Sequence, residues 1–128
     1  MSTQTTPPRR RPVAVALAAV IALALLLGTT GCTPEETSKQ AIRQTFPASV
    51  VDKAMRVAHC ESRYTPDAVS RSGDYGLFQI NKVTWEKTVK GWGYTWNQMF
   101  DPYINSRVAL KIYQLAGNSW QPWSCRGA

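Results

Sequence analysis

The sequence predicts an α+β domain, mainly α, with one small β-hairpin beside a cleft. Three observations carry that expectation. Apolar residues recur at helical spacing in Val50, Ala54 and Val57, and again in Ile104, Val108, Ile112 and Leu115. Between the two rows lies a short run of strand-type residues around a glycine, Asp74-Tyr75-Gly76-Leu77-Phe78-Gln79-Ile80-Asn81. The chain has 128 residues, enough for one modest domain, and it carries no internal repeat.

Composition is that of an ordinary globular protein, with 44% hydrophobic residues and a formal charge of +7. Three of the 15 Lys+Arg are Arg9, Arg10 and Arg11, so residues 32–128 carry 12 against 8 Asp+Glu, near +4. That mild excess has no block of like charge. It suits an anionic wall or membrane surface, and equally an ordinary solvated surface.

Residues 1–32 are expected to be an export signal. The arginines form a basic leader, Val13–Leu27 is a 15-residue apolar run, and Gly28-Thr29-Thr30-Gly31-Cys32 follows. A membrane-spanning helix needs roughly 20 apolar residues, so the run is short for one. Pro12 interrupts what should follow a twin-arginine signal. Gly31-Cys32 resembles the end of a bacterial lipobox, which would make Cys32 a lipidated N-terminus. Thr29 stands where such motifs carry an aliphatic residue, so plain secretion and an uncleaved anchor stay open; all three place the domain outside the cytoplasm.

Residues 33–38 are polar and read as a tether to a domain at 39–128. A short helix is expected from Ser38 to Phe46, stopped by Pro47. The next helix has Ser49 as cap and Asp52 completing a capping box. Its row of Val50, Ala54 and Val57 reaches Glu61 after four more residues. A carboxyl there meets the negative end of the helix dipole and apolar neighbours. Both raise its pKa, as a general acid requires. The bland alternative is a glutamate that reaches solvent.

Residues 62–73 read as loop, and Gly76 as a tight turn or close approach. Val83–Val89, with Trp85, reads as a short helix, and Gly91–Trp96 as irregular. Asp101-Pro102 starts the last helix, Asp as cap and Pro at the first position, and Gly117 ends it. The tail Trp120–Cys125 is expected to be extended. Cys60 and Cys125 read as a disulfide in an exported protein, worth roughly 4 kcal/mol of loop entropy. His59 is the only histidine and there is no Cys-x-x-Cys, which argues against zinc. No phosphate loop, Ser-His-Asp set or basic-aromatic nucleic-acid pattern is present.

Cys60-Glu61-Ser62-Arg63-Tyr64, then Gly73-Asp74-Tyr75-Gly76-Leu77-Phe78-Gln79-Ile80-Asn81, Trp85, and Asp101-Pro102 with Asn105 together resemble the lysozyme-like superfamily. The nearest likeness is to bacterial soluble lytic transglycosylase domains and resuscitation-promoting factors, over most of residues 48–125. The resemblance implies a lysozyme-like fold and cleavage of the β-1,4 bond between N-acetylmuramic acid and N-acetylglucosamine in peptidoglycan. It implies Glu61 as the acid, Gln79 in the sugar groove, and no metal or organic cofactor. Tyr113 stands on the helix where many transglycosylases carry a cleft tyrosine. A cysteine before the glutamate is similar to the paired cysteine of resuscitation-promoting factors, which supports Cys60–Cys125.

Asp74 departs from typical lytic transglycosylases and resembles the second carboxylate of animal-type lysozymes. If it faces Glu61, it would stabilise an oxocarbenium ion or act as nucleophile, and water would complete hydrolysis. If it turns away, Glu61 works alone and the sugar closes its own 1,6-anhydro ring. As a turn residue beside Gly73 it would do neither. Tyr75, Asn81, Trp85 and Tyr113 join Gln79 as candidate sugar contacts, and Trp120 or Trp123 could stack on sugar faces; core packing is the plainer account of the aromatics. The expected enzyme is a monomer, exported, anchored through Cys32, and acting on glycan strands. The rival is a non-catalytic glycan-binding module of the same fold.

Overall fold

The computed structural model describes residues 1–5 and 30–128. Arg9–Arg11, the apolar run 13–27 and Gly28-Thr29 lie outside the described residues. Cys32–Ala128 form one compact unit, and its order is α1 (Pro34–Thr45), α2 (Val51–Ser62), β1 (Asp74–Tyr75), β2 (Ile80–Asn81), α3 (Lys82–Gly91), a 3-10 turn (Trp96–Phe100) and α4 (Pro102–Leu115). This is the mainly α, α+β arrangement the sequence predicts.

The first helix begins four residues before the expected Ser38, within the segment read as a tether. Thr33 caps it by accepting from the Glu36 amide at 3.1 Å, and Pro34 takes the first position. Glu35 and Glu36 in the first turn and Arg43 in the last complement the helix dipole. The expected cap of α2 is also corrected. Ser49 makes no capping bond; Val50 is the cap residue, and the turn is closed by Val50 and Val51 amides donating to the Pro47 carbonyl. Asp101 caps α4 as expected, accepting from the Tyr103 and Ile104 amides.

β1 and β2 pair antiparallel, Asp74 opposite Asn81 and Tyr75 opposite Ile80. Gly76 opens the turn at φ +74°, and a Cβ there would collide with the Met99 carbonyl oxygen and the Asn105 amide. Both expectations for this glycine, turn and close approach, therefore hold. Asn105 is fully buried on α4 and ties the hairpin down. It accepts from the Phe78 amide at 2.8 Å and donates to the Tyr75 and Met99 carbonyls at 3.1 and 2.9 Å. Three satisfied bonds on a buried amide fix where the hairpin sits on the helices.

Val57, Phe78, Val108 and Ile112 lie in one core with Phe46 and Trp123. The tail forms turns rather than the expected extended segment, with the Trp123 amide donating to the Trp120 carbonyl. Its two tryptophans explain the bend. Trp120 lies 5.8 Å from the Phe46 ring and 4.9 Å from Tyr113, and Trp123 donates its ring N–H to the Phe78 carbonyl at 2.9 Å. The Cys60–Cys125 disulfide closes the tail onto the end of α2.

Candidate active site

Cys60-Glu61-Ser62 tie the end of α2 to the tail and to the hairpin. Cys60 carries the disulfide to the tail. Ser62 donates to the Leu77 carbonyl in the hairpin turn at 2.7 Å. Between them, Glu61 points into a cleft, where its Oε1 accepts from the Cys125 amide at 2.9 Å. The chain then reverses through Arg63 and Tyr64, both in the left-handed region at φ +53° and +61°. Such conformations cost energy and persist where the surroundings hold them.

The cleft opens to solvent and, counting the open space at its mouth, spans about 410 Å³. Glu61 stands on one side. The hairpin supplies Asp74, Gln79 and Asn81, the tail supplies Pro122, Trp123 and Ser124, and Trp85 of α3 and Ile112 of α4 complete the walls. Glu61 and Asp74 therefore share one site. Burial pushes the Glu61 carboxyl above its ordinary value; the Cys125 amide pulls it back, and the charge of Asp74 adds to the rise. Burial also pushes Asp74 up, but hydrogen bonds from Ser70, Ser72 and Asn81 outweigh it and hold that carboxyl below its ordinary value. They measure 2.5, 2.6 and 2.8 Å.

Of the other sequence candidates, Gln79, Asn81 and Trp85 reach the cleft and Tyr75 and Tyr113 do not line it. Tyr75 follows Asp74 on a strand, where neighbours point to opposite faces. It packs edge-on against Trp96 at 5.4 Å. Tyr113 follows Ile112 on α4, about 100° further round the helix, and lines a separate hollow with Pro47 and Val50. Gln79 sits at φ +48° and donates its amide to the Gly76 and Ala68 carbonyls, at 2.9 and 3.2 Å. Asn81 caps α3 while bonding Asp74. Ser70, Ser72 and the Cys125 amide escaped the sequence reading. A Ser-x-Ser two residues before a carboxylate is a local side-chain turn signal, whereas the Cys125 contact spans 64 residues and leaves no local trace.

Cys32 is exposed and unpaired. Among the described residues no group of three or more His, Cys, Asp or Glu could hold a metal, and no helix is long and apolar enough to cross a membrane.

A family model described as "Transglycosylase SLT domain" matches residues 40–123. No curated protein and no solved structure matches the chain. With that match covering more than half of its length, and with the helices, hairpin and cleft described above, the chain belongs to the transglycosylase SLT domain family of the lysozyme-like superfamily, a family of peptidoglycan-cleaving enzymes.

Proposed function

We propose that the domain cleaves the β-1,4 bond between N-acetylmuramic acid and N-acetylglucosamine, with Glu61 as general acid. The observation that carries this reading is the pair of carboxyls in one cleft, one pushed up and one held down. Protonated Glu61 gives its proton to the glycosidic oxygen as the C1–O bond breaks. The positive charge developing at C1 meets the anion of Asp74. Glu61, now a carboxylate, takes the proton of the sugar's own C6 hydroxyl, whose oxygen closes on C1. The product is a 1,6-anhydro end, and Glu61 is again protonated.

Asp74 favours a second reading. A carboxylate in that place suits a lysozyme-type hydrolase, in which water replaces the C6 hydroxyl and the product has a reducing end. Mass spectrometry of the released fragments separates the two, since the anhydro product is lighter by one water. Glu61→Gln tests the acid itself and the rival of a binding module. Loss of wall digestion with binding retained is expected, and equal clearing by variant and wild type would refute the assignment.

The protein is proposed to be exported and held at the outer face of the membrane by lipid on Cys32, acting as a monomer on glycan strands. Cys32 directly precedes the cap residue of α1, so little free chain would separate lipid from domain. Cys32→Ala should move the protein out of the membrane fraction; unchanged fractionation would refute the anchor.

A further inference from the structure

Asp74 has an unusual amount of structure built around it. Ser70 and Ser72 both reach its Oδ2, and the side-chain amide of Asn81 reaches its Oδ1. The direction of each bond can be worked out. Asn81 Oδ1 already accepts from the Thr84 amide and hydroxyl, both at 3.0 Å, because Asn81 caps α3. Its NH₂ must therefore be the group that faces Asp74, and NH₂ can only donate. Ser70 Oγ accepts from the Asp74 amide at 3.1 Å, which turns its one proton toward the carboxylate. The two serine oxygens lie 3.0 Å apart, but each hydroxyl has one proton and Oδ2 is the charged acceptor within reach of both.

We propose that Ser70, Ser72 and Asn81 are positioning residues, a cradle of three donors that holds Asp74 as an anion with both oxygens engaged. Asp74 then acts on the reacting sugar by its charge and forms no glycosyl ester. Attack on C1 would turn the carboxylate into a neutral ester, which holds the same three donors more weakly than the anion does. The oxygen that captures C1 is accordingly external to the protein, the sugar's C6 hydroxyl or water. This inference rests on the catalytic reading of Glu61 and Asp74, and it names residues that act through Asp74; Ser70 and Ser72 do not line the cleft, while Asn81 does.

The pairing also fixes how the cradle is felt. Glu61 is the only other titratable side chain lining the cleft among the described residues; α3, α4 and the tail contribute Trp85, Ile112, Pro122, Trp123 and Ser124. The acid side of the pH–rate profile should report Asp74, which must be ionised, and the alkaline side Glu61, which must be protonated.

The test is the pH dependence of glycan cleavage by the full chain and its Ser70→Ala/Ser72→Ala, Ser70→Thr and Asp74→Asn variants. The double alanine variant should lose about tenfold in rate at the optimum, a typical cost of lost charge-assisted bonds. Its acid limb should move to higher pH while the alkaline limb stays. Ser70→Thr, which keeps the hydroxyl, should restore the wild-type limb. Asp74→Asn should abolish the acid limb and move the alkaline limb to lower pH, because Glu61 loses the neighbouring charge. A lower rate with both limbs unmoved would mean that the serines merely shape the hairpin, and would overturn the cradle. So would a covalent glycosyl adduct on Asp74 detected by intact mass with a slow fluorinated glycoside. If the double variant does not fold, judged by circular dichroism, the limbs of each single alanine variant decide. Failure of the underlying reading looks different: Glu61→Gln would then keep its activity.

Discussion

Glu61 receives a single hydrogen bond among the described residues, from a backbone amide of the tail 64 residues away. Asp74 receives three, all from side chains within seven residues of it. The two carboxyls line one cleft, and burial pushes both upward. The number of donors decides the outcome: one amide does not reverse the desolvation of Glu61, while three donors do reverse that of Asp74. The local donors of the hairpin favour the ionised form of Asp74. The sparse, long-range setting at the end of α2 leaves the Glu61 carboxyl above its ordinary value. In the proposed mechanism, acid and charge stabiliser are thus divided by how each segment folds around its own carboxyl.

Removing the two groups should not cost the same. Glu61→Gln is expected to lower kcat by about 10²–10⁴-fold, the range for a general acid, and Asp74→Asn by only about tenfold, a steady-state assay deciding between them. Equal losses would break the division of roles. Glu61→Gln should also reveal the burial of the acid. Because folding raises its pKa, the ionised form opposes folding. That destabilisation is absent at low pH and appears as pH rises through the folded-state value. The variant should melt higher than wild type at neutral pH, with the gap closing in acid; a constant gap would contradict it.

Reduction of Cys60–Cys125, or replacement of both cysteines by serine, should destabilise the domain by about 4 kcal/mol, read from thermal or denaturant unfolding. It frees the amide that holds Glu61, so activity should fall more steeply than stability, whereas the Asp74 cradle stays intact. Gly76→Ala strikes the hairpin side instead. With φ at +74° and the Met99 carbonyl in the way, it should cost roughly 2 kcal/mol. Retained stability would mean that the hairpin moves more freely on α4 than Asn105 suggests.

Much of this was legible in the sequence because it is local. The row Val50, Ala54, Val57 does end at Glu61, and Ala54 and Val57 are fully buried. Asp101-Pro102 caps its helix, and Gly76 makes the turn. The misreadings were also local, and the same rules contained their answers. Thr33-Pro34 with Glu36 is a capping signature, and it starts α1 inside the supposed tether. Thr95 with Gln98 is another, and it starts the 3-10 turn Trp96–Phe100 at the end of the stretch Gly91–Trp96, whose residues 92–95 are irregular as expected. Ser49 looked equally good as a cap, but the turn at Pro47 supplied the bonds and left it idle. What could not be read was set by tertiary contact. The bend of the tail depends on Trp120 and Trp123 finding Phe46 and Phe78, and the placement of Tyr113 beside, rather than in, the cleft depends on which face of α4 is covered.

The central claim is that two carboxyls in one cleft are shifted in opposite directions, Glu61 upward and Asp74 downward. Carboxyl-carbon NMR titration of the folded domain measures this directly, with Glu61→Gln and Asp74→Asn assigning the two resonances. Glu61 should titrate above the ordinary glutamate value of 4.5 and Asp74 below the ordinary aspartate value of 3.8. Titration of Asp74 at or above Glu61 would contradict the account.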